Sequence, residues 1–183
     1  MKILILSLLF AALAFGQRAD FYKEDITFRL DSISFDVDGY YWFANRNSQP
    51  VNSDIFYPFP QNAGGVIDSV RLYNISAGQK TKYKQEANFG ISFQLTIPPK
   101  DSSLFQIGYR QQVKSDSAIY ILKTTRNWGK PLQNAVYKLV VPNNLKIKKF
   151  SYTPDKIYNV EGYTIYYWEK INFMPDKDMI FYF

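Results

Sequence analysis

Residues 89–97 read Phe-Gly-Ile-Ser-Phe-Gln-Leu-Thr-Ile. Phe89, Ile91, Phe93, Leu95 and Ile97 alternate with Gly90, Ser92, Gln94 and Thr96. Successive side chains of a strand point to opposite faces, so this is the pattern of a half-buried β-strand. Pro98-Pro99 then remove two backbone donors and end it. The period predicts one buried face built by all five apolar residues.

The same alternation runs outward from this segment. Ile26, Phe28 and Leu30 keep it, and so do Ile33, Phe35 and Val37. The odd step from Leu30 to Ile33 would turn the apolar face over, which predicts a β-bulge at Asp31-Ser32. Further strands are expected at 40–45, 51–57, 66–73, 104–113, 118–124, 135–141, 145–152, 163–169 and 179–183. Turn formers separate them: Asp38-Gly39, Asn45-Arg-Asn47, 62–65, 99–103, 127–131, Pro142-Asn-Asn144 and Glu161-Gly162. Roughly ten or more short strands at such spacing predict an all-β fold, an antiparallel β-sandwich in a single domain over residues 17–183. Uneven strand lengths and lysines at 146, 148 and 149 disfavour a lipid-facing barrel.

Residues 1–16 have different chemistry. Lys2 precedes an apolar run from Ile3 to Phe15 broken only by Ser7, and Ala14-Phe15-Gly16 supplies small residues for cleavage. That is the pattern of a signal peptide cut after Gly16. Helical, the run would reach about 20 Å at 1.5 Å per residue, short of the roughly 30 Å hydrocarbon core. The expected location is secreted or periplasmic, or peripheral at the outer membrane, with no transmembrane span after cleavage. With no cysteine, the domain has no disulfides and depends on its core, which suits a bacterial envelope.

Composition excludes several chemistries. The chain has neither histidine nor cysteine, which removes Ser-His-Asp and Cys-His nucleophilic systems and the usual zinc and copper sites. No phosphate-cradling loop is present, since Gly64-Gly65 lacks the Lys-Ser/Thr that would follow. Asp36-Val-Asp38-Gly39 begins like a calcium loop, but position 12 is Asn47 where a glutamate is needed. Neither a metal nor a cofactor is expected. The net charge of +6 is spread along the chain, and an exported location makes nucleic acid an unsuitable partner.

Three stretches carry a family resemblance. They are Tyr41-Trp-Phe-Ala-Asn-Arg-Asn-Ser-Gln-Pro-Val51 with Ile55-Phe-Tyr-Pro-Phe-Pro60, then Phe93–Pro99 with Phe105-Gln-Ile-Gly-Tyr109, and Tyr120–Pro131 around Trp128. In order and spacing they resemble VIT-type β-sandwich domains and a related set of exported bacterial domains. The resemblance implies an interaction or scaffold module and supplies no catalytic residue to carry over.

Two residue classes could still carry a function. Paired carboxylates suffice for glycoside hydrolysis, and the candidates are Asp36 with Asp38 and Glu161 with Glu169, which equally suit a solvated strand face. Aromatics are the stronger signal, with 15 Tyr, 15 Phe and 3 Trp. The runs Tyr40–Phe43 and Tyr163–Trp168 place rings on both faces of their strands, and only one face can enter a sandwich core. Trp42, Trp128, Trp168, Tyr40 and Tyr166 are therefore the candidate ligand-binding residues, although cross-strand packing could also use them. The reading is a non-catalytic binding or scaffold module of the cell envelope, with a protein or glycan partner. The alternatives are a carbohydrate-binding module using exposed aromatics and, behind it, a carboxylate-only glycosidase.

Overall fold

The computed structural model describes residues 18–61 and 65–183. The leader expected at 1–16 lies outside them, as does most of the turn expected at 62–65. Among the described residues, fourteen strands and one short 3-10 helix form two layers.

The first layer is an eight-stranded sheet. Along it lie β12 (Lys156–Val160), β13 (Tyr163–Phe173), β10 (Leu132–Pro142), β1 (Asp20–Leu30), β2 (Ser34–Ala44), β8 (Ser102–Gln112), β4 (Ile67–Asn74) and β5 (Gln79–Lys80). The second layer is divided between two three-stranded sheets. One is β3 (Val51–Pro58), β7 (Gly90–Ile97) and β6 (Lys84–Glu86). The other is β11 (Lys149–Phe150), β14 (Met179–Tyr182) and β9 (Ser117–Tyr120).

Both small sheets pack on the same face of the large one. Phe28 of β1 lies 5.3 Å from Phe181 of β14 and 5.2 Å from Tyr120 of β9, ring centre to ring centre. Farther along, Phe105 of β8 meets Phe93 of β7 at 5.6 Å, and Tyr41 of β2 meets Tyr57 of β3 at 5.7 Å. Each fully buried ring of this size contributes about 1.5–3 kcal/mol. The division of the second layer leaves a seam between its two sheets, floored by β1, β2 and β8.

The all-β sandwich is therefore present, with one departure from antiparallel pairing. β1 pairs with β10 in parallel, Lys23 opposite Asn134 through Arg29 opposite Val140. Parallel neighbours require a crossover connection, which adjacent turn signals do not reveal.

Several boundaries differ from expectation for local reasons. Ile91, Phe93, Leu95 and Ile97 are buried, but Phe89 is 60% exposed. It sits in the turn before β7, where its amide bonds Glu86 O at 2.9 Å. Asp31-Ser32 is a hairpin turn rather than a bulge. Asp31 Oδ1 accepts from the amides of Ile33 and Ser34 at 2.8 and 2.7 Å, so the chain reverses and Phe35 pairs with Leu30. Asp38-Gly39 is not a turn either, because β2 runs straight through it. The glycine is needed there: a Cβ would collide with the Tyr41 ring and hydroxyl. The strand expected at 118–124 stops at Tyr120, and that at 145–152 shrinks to Lys149–Phe150. β12 was unforeseen, since every residue of this edge strand is exposed and no alternation marks it.

Candidate functional site

The seam is built around a buried acid. Following the inward register back from Leu30, Phe28 and Ile26 arrives at Glu24, which is only 1% exposed. An irregularity in β1–β2 pairing between Phe21 and Lys23 turns Phe21 inward as well. The Tyr137 hydroxyl of β10 donates to Glu24 Oε1. Burial pushes the Glu24 pKa up to about 7 from an ordinary 4.5, and the Tyr137 hydrogen bond opposes part of that rise.

A row of tyrosine hydroxyls lies beside this carboxyl. Tyr41 Oη is 2.8 Å from Tyr57 Oη and 3.1 Å from Tyr120 Oη, joining β2, β3 and β9 across the seam. Burial pushes all three phenols well above their usual range, and the nearby Glu24 charge adds to this. They stay protonated. Three hydroxyls carry three protons and these two bonds use two, so one O–H is left to point elsewhere.

Above the acid and the hydroxyls is a cavity of about 60 Å³. Phe21, Phe43, Ile55, Phe56, Ile107 and Trp128 supply most of its apolar wall, and among the described residues Glu24 is the only charged side chain lining it. An outer hollow of about 330 Å³ shares Ile55, Phe56, Pro58, Thr124 and Trp128 with it and adds Arg18, Asp54 and Asn127. That volume is in the range of small-molecule sites.

The 3-10 helix Lys123–Trp128 holds one lip. Asp178 Oδ1 accepts from the amides of Leu122 and Lys123, both at 2.9 Å, fastening the helix start to the segment leading into β14. Gly129, at φ 76°, ends the helix in a conformation that favours glycine. Trp128 is thereby laid against Phe21 and Phe43 at 5.6 and 5.4 Å, with the Arg18 guanidinium 5.3 Å from its ring centre.

Comparison with solved structures finds the same fold elsewhere. A Legionella pneumophila protein provisionally described as nutrient binding superposes with a TM-score of 0.73 at 14% identity, over 91% of this chain and 67% of that one. An M1 zinc metallopeptidase from Deinococcus radiodurans gives 0.56 at 13% identity, over 91% of this chain and 43% of its own. A substrate-bound form of that peptidase gives 0.55 at 10%, over 90% and 42%. This chain thus spans under half the length of the peptidase. No family model matches the sequence, and no curated protein matches it.

The five aromatics singled out from sequence do not come together. Trp128 lies at the seam. Trp168 is fully buried, its Nε1 donating to Tyr152 O at 2.9 Å, so it is a core residue and offers no ligand surface. Tyr166 is half-buried on the same side of β13, 4.9 Å from Phe150. Tyr40 and Trp42 project from the opposite face of the eight-stranded sheet, 6.3 Å apart, and Lys23 Nζ stands 4.4 Å over the Trp42 ring.

Of the expected carboxylate pairs, Asp36 and Asp38 do share one face of β2, away from the seam, whereas Glu161 and Glu169 lie apart. Asp36 accepts from Arg110 Nε at 3.0 Å, and Asp38 accepts from Gln106 at 2.8 Å. Both are on the outer face. Glu161 is exposed in a turn, and Glu169 is exposed on β13. Glu24 was missed, although its signal was present: two steps of strand register beyond Ile26 place it inward.

Proposed function

We propose that this chain is an exported, non-catalytic binding domain that takes a small ligand into the seam between the two three-stranded sheets. One observation carries the reading. Glu24 is a carboxyl at the floor of an aromatic pocket with no cationic partner among the described residues, and a fold does not keep a group so costly to bury without return. The likeness to a protein described as nutrient binding supports it at the level of fold. Export rests on the composition of residues 1–16. The VIT-type resemblance adds an architectural rationale: buried Asn45 donates to the carbonyls of Gln49, Ile97 and Pro98, joining two of the resembling stretches at the end of the sandwich.

A hydrolytic reading has less support. Glycosidases need a second carboxylate across from the first. Among the described residues the inner cavity offers Glu24 alone, while Asp54 stands exposed at the outer hollow. Without histidine, the H-E-x-x-H zinc site of metallopeptidases cannot be assembled from this chain.

A thermal-shift screen of small metabolites and oligosaccharides against the wild type, Trp128→Ala and Tyr40→Ala tests the proposal. A ligand that raises the melting temperature should bind at least tenfold more weakly to Trp128→Ala and unchanged to Tyr40→Ala, with no sugar released. The reverse sensitivity would move the site to the outer face.

A further inference from the structure

Resting on the seam reading, we infer that the inner cavity receives a primary ammonium group, with Glu24 as its counter-ion and the Tyr41, Tyr57 and Tyr120 hydroxyl oxygens as neighbouring acceptors. Charge, acceptor count and size each point there.

Charge comes first. Among the described residues no lysine or arginine lines the inner cavity. An anionic ligand would face Glu24 without a cation to hold it, and a neutral one would gain nothing from its charge. A cation satisfies Glu24, and it enters a wall of Phe21, Phe43 and Trp128 rings, a residue type that attracts cations.

An ammonium carries three donors and no acceptor. Among the described residues Oε1 of Glu24 has the Tyr137 hydroxyl as partner and Oε2 has none. Oε2 and the tyrosine oxygens together supply the acceptors that three N–H groups require.

Size gives the third reason. With about 10–15 Å³ needed to hold one water, a 60 Å³ cavity admits a group of a few heavy atoms and excludes a sugar ring. The rest of the ligand would run past Phe56 and Trp128 into the outer hollow.

The assignment makes binding pH-dependent. The titratable groups around Glu24 are Tyr137 on β10, Tyr41 on β2, Tyr57 on β3 and Tyr120 on β9, with Tyr109 on β8 beyond Tyr41 and Tyr57, all pushed upward by burial. Glu24 alone among them ionises near neutrality. Affinity for a cation should then fall about tenfold from pH 8 to pH 6, following the ionised fraction of Glu24.

The test is isothermal titration of the full chain with n-butylammonium, n-butanol, butyrate and tetramethylammonium at pH 6 and 8. Butylammonium should bind at pH 8, about tenfold more weakly at pH 6, and at least thirtyfold more weakly to Glu24→Gln, whose fold is checked by circular dichroism. Glu24→Asp should keep the pH dependence. Equal binding of butanol or tetramethylammonium, or unchanged affinity in Glu24→Gln, would overturn the inference. A neutral or anionic ligand that binds in a Trp128-dependent way while butylammonium gives no heat would overturn the ammonium assignment and leave the seam as a binding site. If no ligand of any class responds to Trp128→Ala, both readings fall.

Discussion

The two faces of the eight-stranded sheet are made of the same residue types and treat them oppositely. Tyr41 and Phe43 point inward, where the small sheets cover them and the Tyr41 hydroxyl is shared with Tyr57 and Tyr120. Tyr40 and Trp42, one position away, point outward, and Trp42 is covered by a lysine side chain. The acids repeat the contrast: Glu24 is buried at the cavity floor, while the next residue, Asp25, is half-exposed and pairs with Lys138 at 3.4 Å. An aromatic or acidic residue on a strand therefore takes its role from what lies across from it. Inside, the second layer sets geometry and removes water; outside, partly exposed cationic chains only shade the surface.

The largest expected effect tests that contrast with one residue type. Trp168→Ala, inside, should cost about 3–5 kcal/mol in urea unfolding, and Trp42→Ala, outside, about 1. Equal losses would mean the outer face is as tightly packed as the inner one.

Glu24 offers a sharper probe through pH. Below about 4.5 it is protonated in both the folded and unfolded chains. Between there and about 7 the unfolded chain loses its proton first, so folded stability falls with rising pH and then levels off. A rise of this size corresponds to about 3 kcal/mol. Glu24→Gln should abolish that fall and be more stable than the wild type at pH 8, with little difference at pH 4. Parallel stability curves for the two proteins would place Glu24 in contact with water.

The smallest effect belongs to the outer acids. Asp36→Asn should change stability by well under 1 kcal/mol, because the Arg110 partner is half-exposed and such pairs are weak. A loss of several kcal/mol would show that the outer pair is structural.

Sequence periodicity reached the layered β architecture because strands buried on one face carry a period of two. Ile91, Phe93, Leu95 and Ile97 are the clearest instance. It failed where local chemistry interrupted the period, as at Phe89 in its turn, and where a glycine served a distant ring, as Gly39 does for Tyr41. The site was less legible. Trp128 could be named as an aromatic beside a turn, but its place on the seam depends on Asp178, far along the chain. Trp168 was misjudged because adjacent aromatics on β13 do not reveal which face meets Phe150 and Phe181. Glu24 was passed over because an acid at an inward position breaks the apolar pattern by which inward positions are recognised.

The parallel pairing of β1 with β10 also bears on how the domain comes into being. β1 and β2 can close as a hairpin from the first residues of the domain, but the other edge of β1 waits for residues 132–142. Tyr137, the donor to Glu24, arrives on that late strand. Contacts so distant in sequence carry a large loop-closure cost and make for slow folding. During that interval Glu24 remains hydrated and acidic, and its unusual proton affinity emerges only when the last strands dock. The chemistry of the seam is thus a property of the finished topology, which no N-terminal fragment ending before β10 can possess.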